Sequence, residues 1–182
     1  MTAPLINSLG GFSQMGMIVR DVDETMRVMI ETLGIGPFYV ARRAVPQDFR
    51  YRGKPSAAPE MTMAFAQCGP IQIELIQQHD DAPSAYTEFL AAGREGCQHF
   101  SIWFDDRDAY ARARERLIGH GLELVHEAGE AALQRFAYFA TDVPGGLMIE
   151  LAEARTPIGG GLMEMIAAAA RQWNGENPIR EL

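Results

Sequence analysis

The sequence predicts an α+β fold of two tandem βαβββ modules followed by a C-terminal helix. Three observations carry that prediction. The order strand, helix and three strands occurs twice, the two occurrences align at fixed offsets, and helical spacing returns once more after residue 160. At 182 residues the chain fits one compact domain, or two small halves sharing a core. Hydrophobic residues make up 47% and charged residues 22%, the balance of a folded globular protein.

Taken in order, "FSQMGMIVRD" (12–21) reads as a strand that ends on Asp21, a helix-capping residue type. Apolar residues then fall at Val22, Met26, Met29, Ile30 and Leu33, which is helical spacing closed by Gly34. "PFYVARRAV" (37–45) and "MTMAFAQ" (61–67) read as strands, and a Cys-Gly-Pro turn leads into a fourth, "IQIELIQ" (71–77). The loop at 46–60 between the second and third strands has little periodicity. From residue 97, "CQHFSIWFDD" is again a strand, and "RDAYARARERLIGHG" is a helix with Tyr110, Ala113, Leu117 and Ile118 on one side. "LELVHE", "RFAYFAT" and "LMIELAE" (147–153) are three further strands. "GLMEMIAAAARQW" (161–173) is a C-terminal helix with Leu162, Ile166, Ala169 and Trp173 on one face. It is expected to pack on the domain or a partner subunit, or to serve as a lid. The boundaries are a first module with its linker at 1–90, a second at 91–155, and the helix and tail at 156–182.

The register of the repeat can be checked residue by residue. A shift of 85 places Gln14 on His99, Asp21 on Asp106 and Gly36 on Gly121. A shift of 76 places Ala64 on Ala140, Glu74 on Glu150 and Leu75 on Leu151. The longer 46–60 loop absorbs the difference.

Side chains alternate along a strand, so residues two apart share a face. In "IQIELIQ", Ile71, Ile73 and Leu75 lie opposite Gln72 and Glu74; in "LMIEL", Leu147, Ile149 and Leu151 lie opposite Met148 and Glu150. Gln14 shares a face with Gly16 and Ile18, and His99 with Ser101 and Trp103. A carboxylate inside a sheet cavity loses its hydration and needs compensation. Taken alone, each of these residues reads as an edge or surface side chain. As a repeat-matched set, Gln14, Glu74, His99 and Glu150 are satisfied together by one divalent cation, with an imidazole, an amide oxygen and two carboxylates as ligands.

These residues and their setting resemble the vicinal oxygen chelate superfamily, which includes glyoxalase I, methylmalonyl-CoA epimerase, extradiol dioxygenases and bleomycin-resistance proteins. The resemblance covers about residues 12 to 153. It is closest to the epimerase branch across "IELIQQHDDAPSAYTEFLAAGREGCQHFSIWF", with its IELI-type strand, acidic proline-bearing linker and Gly-x-x-His strand. It implies a curved mixed sheet around a cavity and one divalent ion per chain (Zn, Co, Ni or Mn) held by Gln14, Glu74, His99 and Glu150. It also implies a homodimer, which the sheet edges of each module suggest as well. The chain departs from the epimerases at Gln14, where they usually carry histidine, and at Glu74, where some carry glutamine. Gln, Glu, His, Glu is the set of some glyoxalase I enzymes.

Such a site supports removal of a proton next to a carbonyl or thioester, with the ion stabilising the enolate. Glu150 is the first choice of base and Glu74 the second, since the resemblance to the lyases of this superfamily implies that a ligand carboxylate can leave the ion; Glu60 is weaker. An epimerase-like isomerase is the leading reading. The alternatives are a lyase of the glyoxalase I type acting on a thiol hemithioacetal, or a small-molecule binding protein of the resistance type. Ring-cleaving dioxygenases use two histidines and a carboxylate, which Gln14 interrupts. Trp103 and Ser101 are candidate substrate contacts. Arg42, Arg43, Arg50, Arg52 and Lys54 form a basic cluster, of which Arg50, Arg52 and Lys54 could receive an acyl-CoA or other anionic metabolite. His79, His120 and His126 have no repeat partners and read as structural or exposed.

The net charge of −8 argues against a nucleic-acid partner. Cys68 and Cys97 form neither a metal motif nor a disulfide framework, which fits a reducing cytoplasm. The N-terminal stretch "MTAPLINSLGGFSQMG" lacks a basic region followed by an apolar run, so no signal peptide is expected, and no apolar run is long enough for a membrane.

Overall fold

In the computed structural model, which describes residues 5–129, 134–155 and 160–182, each half of the chain opens on a strand that runs into an aspartate-capped helix. Residues 1–4 of the N-terminal stretch and 156–159, which open the predicted C-terminal segment, lie outside the described residues. The first half runs through β1 (Gln14–Ile18), α1 (Val22–Val28), β2 (Phe38–Ala44), the short pair β3 (Arg50–Tyr51) and β4 (Lys54–Pro55), β5 (Met61–Cys68) and β6 (Ile71–Gln78). Helix α2 (Ala85–Ala91) links it to β7 (Gly96–Trp103), α3 (Arg107–Gly119), β8 (Leu124–Ala128), β9 (Phe136–Ala140) and β10 (Met148–Ala152). Helix α4 (Gly160–Gln172) and β11 (Ile179–Glu181) follow.

The two caps are made in the same way. The Asp21 carboxylate accepts from the Glu24 backbone N–H and that of Asp106 from Ala109, each satisfying a donor that a first helical turn leaves free. After α1 the chain widens into a π turn, Met29–Leu33, ended by Gly34 in the left-handed region. A π turn takes an extra residue, so Leu33 is rotated out of the predicted apolar face and is 62% exposed.

The strands form one mixed sheet in the order β11-β2-β5-β6-β1-β7-β10-β9-β8-β3-β4. The antiparallel pairing of β1 with β7 joins the two halves, and β6 and β10 lie parallel to β1 and β7 respectively. The repeat offsets reappear in this pairing. Gln14 lies opposite Gln72 and Gly16 opposite Glu74 in the first half; His99 lies opposite Met148 and Ser101 opposite Glu150 in the second.

Alternation sorts the side chains into two layers. Ile73 and Leu75 pack with Val22 and Met26 beneath α1, while Ile149 and Leu151 pack with Ala113 and Leu117 beneath α3. Their strand neighbours Glu74 and Glu150 are thereby turned to the other, concave face. A third cluster there, including Ile76, Tyr86, Phe89 and Tyr138, seats α2 between the halves.

Four of these elements go beyond the predicted pattern: α2, β3, β4 and β11. Helix α2 starts at Ser84, whose hydroxyl accepts from the Tyr86 and Thr87 backbone N–H groups in a capping box with Thr87. The 46–60 loop is not merely a connection, since β3 pairs with β8 of the other half. β11 lies parallel to β2. The edges of β2 and β8 are therefore covered within the chain, by β11 and β3. Helix α4 lays Ile166 against Tyr39 and Phe65, with Leu162 and Ala169 beside it. Trp173 packs so closely on Gly36 that a Cβ there would lie 2.8 Å from its ring. Among the described residues, no helix is long and apolar enough to cross a membrane.

Candidate metal centre

Glu74 on β6, His99 on β7 and Glu150 on β10 converge on the concave face, each offering a ligand atom within 4.8 Å of the others. His99 Nε2 lies 3.3 Å from a Glu74 oxygen and 3.9 Å from a Glu150 oxygen. The Tyr138 hydroxyl is 3.2 Å from the same nitrogen. His99 is fully buried, Glu74 7% exposed and Glu150 6% exposed.

Two local features of β1 and β7 allow this convergence. Opposite His99 stands Gly16, and a Cβ there would fall 1.9 Å from the imidazole Nε2 and Cε1 atoms. Only glycine leaves room for the ring. Pairing then slips by a residue, with Gly16 opposite His99 but Met17 opposite Cys97, so Gln98 is the extra residue of a bulge. The bulge lets Gln98 sit beside its neighbour, with its Oε1 3.1 Å from His99 Nδ1. The Gln98 amide nitrogen donates to the Ala85 carbonyl at 2.8 Å, which fixes the oxygen towards the ring. His99 Nδ1 therefore donates to Gln98, and Nε2 presents a lone pair to the two carboxylates.

Besides the Tyr138 hydroxyl, Nε2 thus faces two carboxylate acceptors, and a proton or a cation between them would relieve the repulsion. Burial pushes the Glu74 carboxyl up to about 8 and the Glu150 carboxyl up to about 7. The neighbouring His99 ring and the Ser101 and Tyr138 hydroxyls hold Glu150 down against burial, while Glu74 raises it. Burial also depresses His99 itself, so it is kept neutral, the form that binds metal. The fully buried Ser101 Oγ has no hydrogen-bond partner of good geometry. The donor set and the converging atoms fit a divalent cation.

Gln14 is 4% exposed and lines the same cavity; its amide nitrogen donates to Gln72 Oε1 at 2.8 Å, and the oxygen is what an amide offers a cation. The cavity measures about 430 Å³. Besides Gln14, Glu74 and Glu150 its walls include Trp103, Tyr86, Tyr138, Met63 and Phe136. Helix α4 contributes Leu162 and Met163, and Gln72 donates to the Met163 sulfur at 3.2 Å.

The structure does not bring Arg50, Arg52 and Lys54 to this cavity. Arg52 is held by Glu88 from α2 and by Glu123, charges that no local pattern places beside it. Arg50 faces a separate cleft with Arg114, Glu127 and Arg135, and Lys54 is exposed on β4. Arg42 pairs with Asp23 and Glu181. Glu60 is bound by Arg43 and likewise lies outside the cavity walls. His126 is structural and buried. Its Nδ1 accepts from the Ala85 N–H, the ring packs on Tyr86 and Tyr138, and burial drives its pKa down to about 3. Sequence reasoning missed Gln98, Tyr86 and Tyr138. For Gly16 it had a signal, a glycine inside a strand.

Comparison with solved structures returns methylmalonyl-CoA epimerases. That of Mycobacterium tuberculosis is 20% identical, with 90% of this chain and 96% of that one covered and a TM-score of 0.52. A Streptomyces coelicolor methylmalonyl-CoA epimerase variant in complex with 2-nitronate-propionyl-CoA is 18% identical, with 81% and 96% covered and a TM-score of 0.53. A hypothetical protein from Bacillus halodurans C-125 is 15% identical, with 78% and 91% covered and a TM-score of 0.52. At such identities these likenesses concern the fold. A search of curated proteins gave no match. The glyoxalase/bleomycin resistance protein/dioxygenase superfamily profile matches residues 13–139, most of both modules, and the chain belongs to that superfamily.

Proposed function

We propose that the protein is a metal-dependent, epimerase-like isomerase that removes and returns a proton next to a carbonyl or thioester. The observation that carries this reading is the buried set Glu74, His99 and Glu150, with Nε2 turned towards both carboxylates. Gln14 completes the ligands from the matching position of β1. A divalent ion (Zn, Co, Ni or Mn) held there would supply the Lewis acidity that makes a C–H next to a substrate carbonyl acidic.

The chain's own residues do the rest. Glu150 takes the proton. It lies farther from His99 Nε2 than Glu74 does, 3.9 Å against 3.3 Å, and the Ser101 and Tyr138 hydroxyls favour its charged form. Glu74 stays a ligand. Gln98 keeps His99 in the metal-binding tautomer. The apolar walls exclude water, which protects the carbon base from indiscriminate protonation. Trp103 lies in the wall on the same face of β7 as Ser101 and contacts the substrate. Acyl-CoA thioesters are the first substrates to test, because the similar epimerase structure holds a CoA ligand. All the proposed ligands lie on one chain, so a homodimer would not be needed to complete the site.

The test is exchange at the acidic carbon in D₂O, screened over acyl-CoA thioesters, thiol hemithioacetals and 2-oxo acids. Glu150→Gln keeps an oxygen donor but loses the base, and exchange should fall by at least about 10²-fold with metal still bound. Glu74→Gln should cost less. Wild-type exchange by metal-loaded Glu150→Gln would place the base elsewhere. Absence of exchange in every class would favour ligand sequestration.

A further inference from the structure

We infer that the group carried into the cavity beside the substrate's two ion-facing oxygens is uncharged and apolar, an aryl or branched acyl chain rather than a second carboxylate. This deepens the reading above and rests on it. Charge is distributed unevenly in the cavity. The ionisable groups that could carry negative charge gather at one end, where Glu74 and Glu150 meet His99. The remaining walls are mostly apolar, among them Met63 and Phe65 from β5, Phe136 from β9, and Leu162 and Met163 from α4, with the uncharged amides of Gln47 and Gln134 as polar side chains. No lysine or arginine belongs to the described lining, and residues 130–133 and 156–159 contain neither.

The arginines that come near are engaged. Arg155 stacks on the Trp103 ring and donates to Ser13 Oγ, while Arg43 is bound by Glu60. A carboxylate in the apolar part would lose its hydration and meet no cation there. A phenyl ring or branched chain would lose nothing and would remove apolar wall from water. The flexible methionine side chains suit an irregular apolar group. A volume of about 430 Å³ admits such a group but lies at the small end for ligand pockets, so the rest of a long carrier stays outside.

The test uses cobalt(II)-loaded protein and three hydroxamates, each presenting the same pair of oxygens. Their tails are a methyl group (acetohydroxamate), a phenylpropyl chain (4-phenylbutanohydroxamate) and a carboxylate-ended chain (glutaric acid monohydroxamate). Binding is followed by the cobalt visible spectrum. The phenyl-tailed probe should bind at least about 30-fold more tightly than acetohydroxamate, the gain for burying an aromatic group. The carboxylate-tailed probe should bind no better than acetohydroxamate. In Met63→Lys, which puts a cation into the wall, the preference should shift towards the carboxylate tail; cobalt uptake there reports an intact site. Equal binding of all three by cobalt-loaded wild type, or strongest binding of the carboxylate tail, overturns the inference and leaves the metal reading standing. Failure of the wild type to take up cobalt overturns both.

Discussion

Gly16 and His99 face each other across β1 and β7, and the space between them is set by the absence of one carbon atom. The ring cannot swing away freely, because it is fully buried against Tyr138 and Gln98. Gly16→Ala should therefore destabilise the fold by about 1–3 kcal/mol through overpacking. It should also weaken metal binding by roughly 10-fold or more, as loss of an orienting contact does. Denaturant unfolding and calorimetric metal titration measure the two effects, and unchanged affinity would contradict the packing described. His99, Glu74 and Glu150 could be picked out in the sequence because each occupies a repeat-matched position. Gln98 and Tyr138 could not. A bulge has no sequence period, and the approach of β9 to β7 depends on the pairing of β10 between them.

Elements with enough turns or alternations were readable, and short ones were not. β3 and β4 have two residues each and β11 three, too few for any period to register. In α2 the capping box uses Thr87 where glutamate or glutamine is the familiar partner, and seven residues give only two turns of apolar spacing. The arginine cluster was misleading for a related reason. Its charges are neighbours in sequence, but the glutamates that hold Arg52 come from α2 and from the approach to β8. The C-terminal helix had a clear apolar face, and α4 buries Ile166 completely between Tyr39 and Phe65. Ile166→Ala should cost about 2–5 kcal/mol in unfolding free energy. Denaturant titration yielding wild-type stability would show that α4 does not dock there.

Across the whole molecule, the repeat offsets place two carboxyls in one buried cavity, and this couples stability to pH and to metal. In the metal-free fold their pKa values, about 8 for Glu74 and about 7 for Glu150, lie above ordinary carboxyl values. Between those limits the folded chain holds protons that the unfolded chain has released. The associated stability is thus present at low pH and lost as pH rises through 7 and 8. Metal binding requires the deprotonated ligands, so affinity should rise over the same window. Chelator-treated protein should melt at a lower temperature at pH 8.5 than at pH 6, and a divalent ion should remove or reverse that slope. Replacing Glu74 and Glu150 together by glutamine should flatten the chelator-treated slope. Equal melting temperatures at both pH values in the chelator-treated wild type would count against two buried carboxyls.

The central claim is that Gln14, Glu74, His99 and Glu150 hold a metal ion, and elemental analysis of purified protein tests it most directly. Protein prepared without chelators should carry about one divalent ion per chain, and His99→Ala, which removes the only imidazole of the set, should lose most of it. Equal metal content in wild type and a folded His99→Ala protein would contradict the account.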